Sequence, residues 1–195
     1  MEINFSLDKF IKVTDNVFPE HVLNNLIKIC KESDKFDEAR IVIDTEGGEK
    51  INPKIRKTLS WPMNNIGIES LTEVHWANLL HNVFTRGINK YKEDLDVQHN
   101  FKINDIQILK YNLGGHYKLH IDHSPSIPRT FSCIFLLNDD YEGGDLLFKF
   151  PNGGTEMKIE KVKNRLIVWP SNFLYPHAVL PVTSGERYSV VAWAL

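Results

Sequence analysis

The stretch LHIDHSP, Leu119 to Pro125, sets two imidazoles and a carboxylate within four positions: His120, Asp122 and His123. Side chains on a strand alternate faces, so His120 and Asp122 point one way and His123 the other. Such a pair can share a divalent ion but needs a third ligand from elsewhere in the fold. His177, in YPHAVLPV, is the leading candidate; His116, four residues before His120 and on the same face of a continuous strand, is the reserve. Two imidazoles and one carboxylate on a triangular face suit Fe(II), with positions left open for a co-substrate and O2. A structural zinc would close its shell with four protein ligands, often cysteines. Cys30 and Cys133 do not match this cluster in type and pattern, so structural zinc is not expected.

Ten residues after His177 comes Arg187, in GERYSVVAWAL. On the next antiparallel strand and facing inward, its guanidinium needs an anion, and its planar fork matches a carboxylate bidentately. A dicarboxylate co-substrate answers that need; an ion pair with Glu186 is the plain alternative.

The elements that must position these groups fall into two regions. Pro19 suits a first helical turn, and Leu23, Leu26, Ile27 and Cys30 follow at helix spacing. Ser70 and Glu73 form a capping-box pattern, behind which Val74, Leu79, Val83, Ile88, Tyr91 and Leu95 make one stripe. Between these helices EARIVIDT reads as a strand, and the basic, Pro-containing segment up to Trp61 as a loop. From about Ile103 short β-like runs alternate with turn residues: Gly114-Gly115, Asn138-Asp139-Asp140, Gly143-Gly144, Asn152-Gly153-Gly154 and Ser184-Gly185. Eight strands are expected, near 105–111, 117–122, 130–137, 145–149, 155–160, 165–169, 175–180 and 187–194. That pattern predicts an α+β fold built on a jelly roll, with the N-terminal helices packed on one sheet. Residues 1–102 are expected to form a helical support region with a substrate-covering loop, and 103–195 the catalytic core, all within one structural domain.

The 195 residues are enough to bury a core without staples, and two cysteines make no disulfide framework, which favours a reducing cytoplasm. No apolar run reads as a signal peptide or a membrane span. A net charge of −2 speaks against a nucleic-acid-coating domain; the exception is KINPKIRK, Lys50 to Lys57, which reads first as a solvated loop.

With these residues in view, the chain from Tyr111 to Trp193 resembles the Fe(II)- and 2-oxoglutarate-dependent dioxygenases, in their prolyl 4-hydroxylase-like branch. The resemblance rests on YNLGGHYKLHID, PRTFSCIFLLND, YEGGDLLF, RLIVWPSNFLYPHAVLPV and GERYSVVAW, and extends to FPEHVLNNLIKIC and the segment ending IRKTLSW. It implies a double-stranded β-helix with Fe(II) on His120, Asp122 and His177, and 2-oxoglutarate reaching Arg187. Tyr111 and Ser132 are implied as co-substrate neighbours, and Tyr117 as an aromatic near iron and substrate. It further implies O2 as oxidant, ascorbate as accessory reductant, release of succinate and CO2, and hydroxylation of a prolyl residue in a peptide or protein. Many relatives carry a tyrosine where this chain has Leu136, so the co-substrate must rely on Arg187 and other donors. Tyr141 and Phe148 read as barrel packing.

The substrate-facing candidates are Tyr117, Arg129 and Trp61. Trp61 offers a platform on which a pyrrolidine ring could stack, and Gly47-Gly48 would let the loop from Asp44 to Trp61 move. Lys50, Lys54, Arg56 and Lys57 would favour acidic residues near the proline. The alternatives are a nucleic-acid-dealkylating dioxygenase, supported mainly by the basic loop, and a non-catalytic binding module on the same fold.

Overall fold

The computed structural model describes residues 6–43, 48–64, 70–151 and 155–195. Asp44, Gly47 and the Asn152-Gly153-Gly154 turn lie outside them. The N-terminal region contains β1 (Lys12–Asp15), α1 (Glu20–Glu32), β2 (Asp37–Glu38), β3 (Ile41–Ile43), β4 (Gly48–Lys50), β5 (Arg56–Lys57), β6 (Leu59–Pro62) and α2 (Leu71–Leu95). There follow β7 (Ile103–Tyr111), β8 (His116–His120), β9 (Phe131–Leu136), β10 (Glu142–Gly143), β11 (Leu146–Lys149) and β12 (Glu156–Ile159). The chain ends with β13 (Arg165–Pro170), β14 (His177–Val179), β15 (Val182–Ser184) and β16 (Arg187–Ala194).

Two antiparallel sheets face each other. One has seven strands in the order β1-β13-β9-β16-β7-β6-β2, the other five in the order β12-β11-β14-β8-β5. Leu109, Ile134, Ile167 and Val191 of the first meet Leu146, Phe148 and Val179 of the second in one apolar interior. This is the expected jelly roll.

Strand alternation assigns the two faces of the seven-stranded sheet. On β16, Val191 and Trp193 belong to the barrel interior, while Tyr188, Val190, Ala192 and Ala194 pack with the helices. Both faces are covered, which is why β9 and β16 are buried at every position.

Helix α1 buries Leu23, Leu26 and Cys30 against that outer face. Helix α2 starts where Ser70 Oγ accepts from the Glu73 amide, 3.2 Å away. Its buried stripe is Trp76, Leu80, Val83, Phe84, Ile88 and Tyr91. The expected stripe is therefore corrected: Val74 is exposed, and Leu79 and Leu95 are only partly buried, while Trp76, Leu80 and Phe84 take the inward positions. Gly87 explains itself here: a Cβ would collide with the Leu166 side chain, so glycine lets α2 approach β13. No helix among the described residues is long and apolar enough to cross a membrane.

The segment up to Trp61, expected as a loop, is largely strand. Arg56 and Lys57 pair with Tyr117 and His116 of the five-stranded sheet, and Leu59 to Pro62 pair with Lys110 to Gln107 of the seven-stranded one. This short stretch thus passes from one sheet to the other at the barrel mouth.

Candidate active site

His177 opens β14 and His120 closes β8, and the antiparallel register sets them directly opposite each other. Asp122 follows just after β8. Its Oδ1 lies 3.5 Å from His120 Nε2 and its Oδ2 lies 3.4 Å from His177 Nε2. One ligand atom from each of the three residues lies within 4.8 Å of the others. Each imidazole is oriented from behind: His120 Nδ1 is 2.8 Å from the Lys118 carbonyl oxygen, and His177 Nδ1 is 3.1 Å from that of Tyr175. Donation from Nδ1 leaves the lone pair on Nε2, the arrangement a metal-binding histidine needs.

The protonation states agree. Burial, against an opposing pull from Asp122, pushes the His177 imidazole down to about 4, so it is neutral and able to ligate near neutral pH. Burial alone would raise Asp122. His177, His120 and the Ser132 hydroxyl outweigh it and hold this carboxyl well below the usual range, so it is anionic.

The reserve ligand His116 does not join the group, and a bulge explains why. Between the pairs His177↔His120 and Val179↔Tyr117, β8 carries one more residue than β14. The extra residue reverses strand parity, so His116 and His120 no longer share a face while Tyr117 and His120 do. Their rings stack at 3.6 Å. His123 turns away, with Nδ1 2.9 Å from the Arg129 carbonyl oxygen.

Ser132, expected beside a co-substrate, donates to Asp122 Oδ2 at 2.7 Å. Since a hydroxyl has one proton, the contact of Ser132 Oγ with Ser171 Oγ, also 2.7 Å, must be donated by Ser171. Ser171 had no signal in the sequence; it lies six residues before His177 in an irregular link.

Arg187 is fully buried. Its Nη1 donates to Ser189 Oγ at 2.7 Å, its guanidinium lies 4.9 Å from the centre of the Tyr111 ring, and its Nε and Nη2 have no partner. The alternative pairing with Glu186 is not made: that carboxylate is 2.8 Å from Lys110 and also accepts from the Tyr188 hydroxyl. Tyr111 sits opposite Arg187 in the ladder. Leu136, where many relatives carry tyrosine, lies opposite Ser189. Ser189 accepts from Arg187 and so keeps its own proton to donate.

Outside the triad a groove of about 660 Å³ is lined by residues that include Arg40, Arg56, Asp105, Tyr117, Arg129 and Trp193. Arg129 lies 3.9 Å from the centre of the Trp193 ring and 4.0 Å from Asp122 Oδ1, on the side of the groove. Trp61 is elsewhere. It is buried in the helix-side core, edge to face with Phe36, so the expected platform is corrected to packing. The basic run is also corrected: Arg56, taken for part of a solvated loop, is buried. The surrounding lysines hid it, and nothing local marked it as inward.

Three ligand atoms on one face, a neutral imidazole, an ionised carboxylate and a buried guanidinium with unpaired donors fit Fe(II) and a dicarboxylate. Residues 106–195 match the family described as the 2OG-Fe(II) oxygenase superfamily. A PKHD-type hydroxylase of Synechococcus sp. (strain CC9902) is 33% identical over 96 residues, 47% of this chain and 41% of that protein. Human prolyl 3-hydroxylase 3 is 38% identical over 66 residues, 33% of this chain and 9% of that protein. The chain spans less than half the length of these curated relatives. Among solved structures, a Pseudomonas putida prolyl-4-hydroxylase superposes with a TM-score of 0.69 at 20% identity, covering 94% of this chain and 91% of that one. A Trichoplax adhaerens prolyl hydroxylase, in complex with a hypoxia inducible factor oxygen degradation domain peptide fragment, gives 0.69 at 18%, covering 95% and 83%. At such identities the likeness is one of fold.

Proposed function

We propose that this chain, whose residues 106–195 match the 2OG-Fe(II) oxygenase superfamily, is an oxygenase of that kind and hydroxylates a prolyl residue in a peptide or protein. In this reading Fe(II) and 2-oxoglutarate are required, O2 is the oxidant, and ascorbate is an accessory reductant. The observation that carries it is the triad's three ligand atoms gathered at a cavity that Tyr111 also lines, with Arg187 and its two unpartnered nitrogens against the Tyr111 ring. When bound there, Fe(II) with 2-oxoglutarate supplies O2-dependent oxidation, yielding succinate, CO2 and a hydroxylated C–H.

The chain's own residues have separable tasks. His120, Asp122 and His177 would hold the metal, and Ser132 would fix the carboxylate's rotation. Arg187, with Ser189 beside it, would take the distal carboxylate of 2-oxoglutarate, over the face of Tyr111. Tyr117 and Arg129 flank the open side, where the acceptor would lie. A peptide suits the groove better than a nucleic acid, because Glu49 and Asp105 line it along with the arginines. A cytoplasmic setting belongs to the same reading, in which Cys30 and Cys133 remain free, buried thiols.

The test is incubation with Fe(II), 2-oxoglutarate, ascorbate and a panel of proline peptides. Succinate release and one added oxygen on proline, by mass spectrometry, are the expected result. Oxygen on nucleobases but on no prolyl peptide would overturn the substrate class, and no 2-oxoglutarate turnover at all would leave a binding module.

A further inference from the structure

Arg56 is 8% exposed, although it stands on the edge strand β5 amid exposed lysines. Its Nη1 donates to the Arg40 carbonyl oxygen at 3.0 Å, its guanidinium lies 4.9 Å from the centre of the Tyr117 ring, and its Nε has no partner. Among the described residues, no carboxylate lies within ion-pair distance of it. Arg56 lines both the small cavity at the triad and the wide groove outside. It therefore stands where the two meet.

Of the carboxylates that line the groove, Glu49 is exposed and forms no ion pair with Arg56 among the described residues, and the other two have partners. Asp122 faces the two imidazoles, and Asp105 accepts from Asn64 at 2.8 Å and from Gln107 at 2.7 Å. Arg129 has Asp122 and the Trp193 face. Arg56 is left as a desolvated cation with an unused donor, and such a group is costly unless an anion completes it. The anion that matches a guanidinium edge is a carboxylate.

We propose that Arg56 receives a carboxylate of the acceptor. The substrate class is then a peptide with an acidic side chain next to the oxidised proline, or one whose terminal carboxylate follows it. This rests on the prolyl-peptide reading above and makes it narrower. It also differs from steering by the exposed lysines, which would change encounter rate more than affinity.

The test uses the full chain with Mn(II) and 2-oxoglutarate, and fluorescence anisotropy of three N-terminally labelled peptides. In one, proline is followed by glutamate and an amide; in the second, by glutamine and an amide; in the third, proline ends the chain as a free carboxylate. The wild type is expected to bind one of the two carboxylate peptides about tenfold more tightly than the glutamine peptide, and which one identifies the source. Arg56→Met should bring that ratio close to one, and Arg56→Lys should keep part of it. Thermal melts accompany each variant, and if Arg56→Met is unfolded the Arg56→Lys ratio decides: a ratio equal to the wild type's overturns the proposal. Binding of all three peptides without preference, or a preference surviving Arg56→Met, also overturns it and leaves the prolyl reading intact. Failure to bind any of them, with no oxygen added to proline in the Fe(II) assay above, overturns both.

Discussion

Replacing Arg187 with methionine should make the ligand-free protein more stable and remove most of the stabilisation that 2-oxoglutarate gives it. The guanidinium is fully buried, and its visible compensation is one hydrogen bond to Ser189 and the Tyr111 ring. These contribute about 1.5–3 kcal/mol and about 2 kcal/mol. Against them stand a desolvation penalty of several kcal/mol and about 1–3 kcal/mol for each of the unpartnered Nε and Nη2. Methionine fills the same space without charge, so a gain of about 1–4 kcal/mol is expected. In a chain of this size each kcal/mol moves Tm by about 2–4 °C. With 2-oxoglutarate at a hundred times its Kd, the wild type should gain about 2.7 kcal/mol. Loss of the charged contact weakens binding by about 2–5 kcal/mol, which at that concentration leaves the variant less than about 1 kcal/mol of ligand stabilisation. Calorimetric melts with Mn(II), with and without 2-oxoglutarate, measure both terms. A variant that is less stable without ligand yet shifts fully with 2-oxoglutarate would refute the reasoning, since Arg187 would then be structural. Arg187→Lys should fall between, keeping the charge and losing the fork.

Alanine at His120, Asp122 or His177 should abolish Mn(II) binding by titration calorimetry, whereas alanine at His116 or His123 should leave it unchanged; full binding by His177→Ala would remove it as a ligand. Ser132→Ala should weaken metal binding about tenfold or more, because Asp122 loses the group that orients it. Burial depresses His177 from the ordinary 6.5 to about 4, so between those values the unfolded chain binds a proton that the folded one does not. The metal-free protein should thus lose a few kcal/mol as pH falls from about 6.5 to about 4 and vary little above it, a slope that His177→Gln should flatten in urea titrations. Asp122, held low, would act only below that window. Trp61→Ala should cost about 3–5 kcal/mol of stability with peptide affinity unchanged in the folded fraction; lost affinity at full stability would restore Trp61 as a substrate platform.

The candidate residues for the chemistry were legible before folding, because residue type and short-range parity are properties of the chain itself. The His120–Asp122 pair, the distant His177 and Arg187 ten residues beyond it needed no coordinates, and the strand-and-turn rhythm after Ile103 announced the jelly roll. Parity fails where partners intervene. The bulge in β8 brings Tyr117 onto His120 and excludes His116, and it exists only because β14 pairs there with one residue fewer. Burial is likewise a property of neighbours. Trp61 and Arg56 stand five apart in one segment, yet that segment crosses between sheets, burying Trp61 under the helices and Arg56 beside Tyr117. The Ser171–Ser132–Asp122 chain joins residues up to 49 positions apart, a distance only the tertiary structure closes.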